Sequence, residues 1–406
     1  MISPVPSPSS RTKGSRDRGG LPAARARSAL AIFGAGLMAA CGGGDGRGVP
    51  AGAVVDTLAG GVVQVTSSSH GVWGAEDGWT LVPEVVLGSA TADGPELFGN
   101  VAALAEDAQG RILVLDNQAR ELRIFDAQGT HLRTVGGRGG GPGEFQTPVG
   151  LALAPDGRIW IVDSGNGRYS VLDAEAEFVT SWPRALGFMA WPWPTGFDDR
   201  GRLLDVAGPD ELVEVAADGA LLDRFALPTA EVESVRARNA QGNMVLSAVA
   251  PFRPRLQWRF DPRGYLWSAM GHEMRFVQQT LEGDTVRIIR RAHDPVPVSR
   301  IEADSAEAFL REMVATSAGE GATIEGDLSS PAVKPAFVTF HLDDEGRVWV
   351  EPSRARGEPR TVEVFDTDGS FLGSIAVDQG LDLLTVRPFW REGAMTALVT
   401  DPNGVP

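Results

Sequence analysis

The sequence predicts an all-β fold of six repeated four-stranded sheets. Three observations carry that expectation: a recurring turn-and-strand phrase, strand-period alternation around each copy, and a turn-rich composition. The chain has 406 residues, 43% of them hydrophobic, with 50 glycines and 27 prolines. That balance allows a buried core and supplies many tight connections between short strands.

The phrase is a turn ending in glycine followed by an apolar, β-branched or aromatic strand. It reads Asp107-Ala-Gln-Gly110-Arg-Ile-Leu-Val-Leu-Asp116 and recurs as Pro155-Asp-Gly157-Arg-Ile-Trp-Ile-Val-Asp163. Further copies are Asp199-Arg-Gly201-Arg-Leu-Leu, Asp261-Pro-Arg-Gly264-Tyr-Leu-Trp267, Asp344-Glu-Gly346-Arg-Val-Trp-Val350 and Arg391-Glu-Gly393-Ala-Met. A turn position needing positive φ explains each glycine. Two more alternating strands follow, as in Leu122-Arg-Ile-Phe-Asp126 and Leu132-Arg-Thr-Val135. Alternation places every second side chain between packed sheets.

Four short strands per repeat is the pattern of propeller blades. The anchor glycines are 47, 44, 63, 82 and 47 residues apart. Two helical insertions, residues 229–245 and 299–318, account for the long gaps. Ser299 is the expected N-cap of the second. The last copy supplies only two strands, so residues 61–66 and 79–88 are expected to complete the sixth blade. The resulting reading is a six-bladed β-propeller of four-stranded antiparallel blades, the last closed by N- and C-terminal strands. Closure of that kind removes open sheet edges.

The N-terminus reads differently. Residues 28–40 form an apolar run of 13 behind Arg25 and Arg27, ending at Cys41. About 20 apolar residues are needed to span a bilayer, so the run fits a signal-peptide core. Leu37-Met38-Ala39-Ala40-Cys41 resembles the bacterial lipobox, which implies lipidation of Cys41 and cleavage before it. Cys41 is the only cysteine, and a glycine-rich tether follows it. Gly42 in the next position favours the outer membrane. The expected organisation is a lipoprotein signal peptide over 1–40, a tether over 41–59 and the propeller over 60–406.

Residues 1–40 are net basic, while the whole chain carries −16. The body is therefore strongly acidic, which excludes nucleic acid as a partner. The membrane is expected to be reached only through Cys41. The expected state is a monomer.

Blades one and two, with the connector Gly136-Gly-Arg-Gly-Gly-Gly-Pro-Gly-Glu-Phe145, resemble the NHL-repeat and related six-bladed propeller lipoproteins of bacteria. The resemblance covers roughly residues 60–406 and implies fold, because propellers host many activities. Related propeller lactonases of the gluconolactonase type hold a divalent cation with Glu, Asn and Asp side chains in the tunnel. The comparable strand starts here offer Asn100, Thr147 and Thr195. A lone Asn without a carboxylate ring is a poor hard-cation site, and no other cofactor is expected.

Other motifs are weak. The glycine run 136–143 lacks Gly-Lys-Ser/Thr and precedes a strand, so it cannot cradle phosphate as a helix-capping loop does. The five histidines show no metal-ligand spacing. His341 sits on an inner strand beside Asp343 and Asp344. Asp163-Ser164-Gly165 contains a serine but no nucleophile elbow.

Most inner strands are entered through X-Pro pairs: Thr147-Pro148, Trp193-Pro194, Arg253-Pro254, Lys334-Pro335 and Arg387-Pro388. The residue before each proline should border the channel rim. Arg253, Lys334 and Arg387, with Arg255 nearby, would form a basic arc that focuses anions. Trp193, with Trp191, is a candidate stacking platform for a glycan or envelope polymer. The expected function is a lipid-anchored extracytoplasmic scaffold binding an envelope protein or anionic small molecule. The candidate contacts are Trp193, Arg253, Arg255, Lys334, Arg387 and Asn100. The alternative is a metal-dependent lactonase or hydrolase.

Overall fold

A computed structural model of the chain describes residues 2–6, 52–74, 77–88, 93–319 and 321–400. Cys41, the cleavage site and residues 42–51 of the expected tether lie outside them, while Ala53–Thr57, expected within the flexible tether, forms a strand because it pairs with Val63–Ser67. The chain is a six-bladed β-propeller. Blade one runs from Val101–Glu106 to His131–Gly136, blade two from Pro148–Leu153 to Phe178–Pro183, and blade five from Phe337–Leu342 to Phe371–Ala376. Each is a four-stranded antiparallel meander. Blade three has three strands over 203–226, and a single bridge from Phe197 to Leu203 marks its inner position.

Local chemistry explains the repeat. All six anchor glycines adopt positive φ, from 75° at Gly110 to 91° at Gly346. The acidic residue opening several turns accepts backbone N–H groups and binds the arginine just after the glycine. Asp107–Arg111, Asp198–Arg202 and Asp343–Arg347 are such pairs. The aspartate closing a phrase also caps the entry to its inner strand. Asp116 accepts from the Gly99, Asn100 and Ala119 amides, and Asp163 from those of Gln146 and Thr147.

Apolar faces pack between neighbouring sheets. Leu113, Leu115, Ile159 and Ile161 join blades one and two, and Phe276, Phe337 and Phe340 join blades four and five. Trp160, Trp267 and Trp349 are buried in these layers, as their second-strand positions predict.

Two expectations are corrected. Residues 229–245 are not a helical insertion: Ser234–Arg238 and Met244–Val249 are strands, joined by Thr323–Glu325 in a three-stranded sheet. The helix Arg300–Ala318 packs on that sheet, with Leu310 beside Val235 and Val314 beside Ala237. Alternating Val235 and Ala237 meet the helix from one strand face, which explains why strand geometry wins there. The helix itself follows expectation, with Ser299 and Glu302 forming a capping box.

Blade six is assembled differently from the prediction. Its sheet is ordered Phe389–Arg391, Ala394–Thr396, Ile2–Pro6, Trp79–Pro83, so the expected cleavage before Cys41 would remove the Ile2–Pro6 strand. Residues 79–83 join it as expected, but Val63–Ser67 does not. That strand pairs parallel to Thr285–Arg291 and, with Ala53–Thr57, extends blade four to six strands. The outer edge of blade four offers unpaired backbone groups, and this hairpin satisfies them. Among the described residues, no helix is long and apolar enough to cross a membrane.

Candidate anion site in the central channel

The inner segments of all six blades line one central cavity of about 540 Å³. A second cavity, about 430 Å³, lies toward the face where the inner strands begin. Arg259, His341 and Arg387 line both, so they sit where the channel meets its mouth.

Strand period positions them. Gln257 and Arg259 share one face of Leu256–Asp261, and Thr339 and His341 share one face of the neighbouring Phe337–Leu342. Arg259 Nη2 donates to Thr339 Oγ1 at 2.8 Å and to Gln257 Oε1 at 3.2 Å, while Nη1 donates to the Trp258 carbonyl at 2.8 Å. Its guanidinium also lies over the Phe340 ring, 5.0 Å from the centroid. Arg387 Nη1 donates to the Pro194 carbonyl from across the channel.

These contacts orient both guanidiniums without neutralising them. Among the described residues, no carboxylate is within ion-pair distance of either one. Burial, then the charge of Arg387, pulls Arg259 down to about 9, and burial pulls Arg387 down to about 10. Both remain cationic at neutral pH. Burial, followed by the charges of Arg259 and Arg387, drives His341 well below the ordinary imidazole range. Neutral His341 donates from Nε2 to the Leu383 carbonyl at 2.7 Å, leaving Nδ1 as an acceptor.

Three polar atoms on residues of the central cavity are buried and unpartnered: Arg259 Nε, Thr195 Oγ1 and Trp390 Nε1. Buried polar groups are normally satisfied, and one of these atoms, Arg259 Nε, belongs to the cationic pair itself. Glu106, Asp343 and Asp344 line this cavity but not the one at the mouth. Burial raises Glu106 above the usual carboxylate range, with Arg391 opposing it.

The sequence-derived candidates divide. Arg253, Arg255 and Lys334 come together around a third cavity, about 690 Å³, which shares Arg259 with the other two. Two of them are already paired. Arg253 binds Glu233 at 2.6 Å and Asp327 at 2.9 Å, and Lys334 binds Glu302 at 2.6 Å. Arg255 is exposed and donates to the Val249 carbonyl. Asn100 is exposed and absent from the channel lining. Only Arg387 of the predicted arc carries an uncompensated charge into the channel.

Trp193 lines the cavity but is 6% exposed. Its Nε1 donates to Asp205 Oδ1 at 2.7 Å, and the buried Asp205 also accepts from Tyr169 and Arg184. Trp193 is therefore fixed as part of the wall, whereas Trp191 is exposed and borders the mouth. Ser164 donates to the Thr147 carbonyl at 3.2 Å in a turn organised by Asp163. Arg259 was missed because it stands mid-strand and does not itself precede a proline. Its available signal was Gln257-x-Arg259, a polar alternation on an inner strand.

The lactonase reading calls for several oxygen ligands gathered around one cation. Among the described residues, no group of three or more His, Cys, Asp or Glu is arranged to hold a metal ion. The junction of channel and mouth carries cationic side chains, and a hard cation seeks several oxygen ligands.

A family model described as a 6-bladed beta-propeller, DUF5128, matches residues 96–180. No curated protein matches the chain significantly. Among solved structures, the protein BF0058 of Bacteroides fragilis is 12% identical, with a TM-score of 0.41, covering 71% of this chain and 74% of that one. Virginiamycin B lyase of Staphylococcus aureus is 9% identical, with a TM-score of 0.37 and coverages of 74% and 78%. A protein of unknown function from Bacteroides caccae is 13% identical, with a TM-score of 0.36 and coverages of 70% and 85%. Similarity at this level carries nothing about activity.

Proposed function

We propose that this chain is an exported, lipid-anchored propeller of NHL-like repeats that works as a binding module for an anionic ligand in its central channel. One observation carries the reading: Arg259 and Arg387 line the cavity with no carboxylate partner among the described residues. Desolvated, fixed cations in a concave site bind anions more strongly than exposed ones, because water competes less.

Titration calorimetry with acetate and inorganic phosphate tests the site. Binding should occur in the wild type and weaken at least ~10-fold in Arg259→Gln and Arg387→Gln, the loss expected when one charged hydrogen bond goes. Absence of binding by both anions overturns the reading. Anchoring at Cys41 is tested separately: labelled palmitate should enter the wild type and not Cys41→Ser.

A further inference from the structure

The channel wall is divided, and the division points to a ligand class. The charged and imidazole side chains at the junction with the mouth, Arg259, His341 and Arg387, come from blades four, five and six. Facing them, blade one contributes Ala102-Ala-Leu-Ala105 and blade two Leu151-Ala-Leu-Ala154. Ala103, Leu104, Leu153 and Phe197 are only partly buried, so apolar surface remains open to the cavity. A sugar acid or a compact inorganic anion would leave that half of the wall unsatisfied.

The far end restricts the ligand's charge. Away from the mouth the cavity is lined by Glu106, Asp107, Asp343 and Asp344 against one cation, Arg391, and this excess of carboxylates would repel a second anionic group. The volume, about 540 Å³, suits a small organic molecule.

We infer that the ligand is an amphiphilic monocarboxylate, its head on Arg259 and Arg387 and its apolar body along blades one and two. This rests on the anion-binding reading above and adds the nature of the body. The head meets the two guanidiniums that line the cavity, since a carboxylate has two oxygens and about four lone-pair sites to accept from them. Arg259 Nε, Thr195 Oγ1 and Trp390 Nε1 are unpartnered polar atoms on lining residues.

Calorimetry on the full chain with decanoate, acetate, inorganic phosphate, decanedioate and decyltrimethylammonium tests it. Decanoate should bind at least ~30-fold tighter than acetate, as burial of several methylenes requires. Decanedioate and the cationic amphiphile should bind at least ~10-fold more weakly than decanoate. Leu153→Asn should weaken decanoate ~10-fold and leave acetate unchanged. If that variant does not fold, the wild-type series alone decides. Acetate or phosphate equal to decanoate overturns the amphiphile while the anion site stands. Equal binding of decanedioate overturns the single-head assignment, and equal binding of the cationic amphiphile overturns the head group. No binding by any anion overturns both this inference and the site it rests on.

Discussion

Arg259 and Thr339 meet across the junction of blades four and five, Nη2 donating to Oγ1 at 2.8 Å. Thr339 is 1% exposed, so the bond is shielded and sets the direction of the guanidinium. Thr339→Val keeps the shape and removes the acceptor. The expected outcome is a loss of about 1 kcal/mol in urea denaturation and a several-fold drop in anion affinity. An unchanged affinity would show that Thr339 does not orient Arg259.

Arg387 presents the opposite balance. It is held where the channel meets its mouth by one carbonyl and feels the like charge of Arg259. Replacing a poorly compensated buried charge by an apolar side chain of similar length often stabilises a fold. Arg387→Met should therefore raise unfolding free energy by on the order of 1 kcal/mol while losing anion binding. A variant less stable than wild type would mean that the cation supports the fold.

His341 makes stability pH-dependent. Its folded pKa lies well below the ordinary value because of burial and the charges of Arg259 and Arg387, whereas the unfolded imidazole titrates near 6.5. Below about pH 6.5 the unfolded chain takes up a proton that the folded chain refuses, so stability falls as pH falls. The loss continues down to the folded pKa, at up to about 1.4 kcal/mol per pH unit. His341→Gln should flatten this part of the stability profile. Parallel wild-type and variant profiles between pH 6.5 and 5 would contradict the assignment.

The Trp193 wall depends on Asp205 and its partners. Arg184 and Asp205 form a buried pair at 2.6 Å, with side chains 4% and 0% exposed. Arg184→Met leaves the carboxylate without its counter-ion and should destabilise by about 3–5 kcal/mol, read from the urea midpoint. An effect below ~1 kcal/mol would show that Tyr169, Trp193 and the Val206 amide satisfy Asp205 without Arg184.

Gly150 tests the same wall from the neighbouring blade. A Cβ placed on it would lie 2.5 Å from the Trp193 indole. Gly150→Ala should lower the melting temperature and loosen Trp193, seen as a red shift of tryptophan emission. A variant that melts with the wild type would show that the indole can retreat.

The sequence alone determined the blades, because strand period, turn glycines and the aspartates closing each phrase act over a few residues. Asp116 and Asp163 show this: each caps its own blade from within one repeat. It also marked Arg387, through the proline beside it. The tertiary structure decided where the edge strand Val63–Ser67 would pair, since edges compete across the ring and local pattern cannot rank them. It decided which cations were spent. Arg253 and Lys334 meet acids tens of residues away in sequence, while Arg259 and Arg387, from separate blades, share one cavity. Whether a charge is compensated depends on what ring closure places beside it.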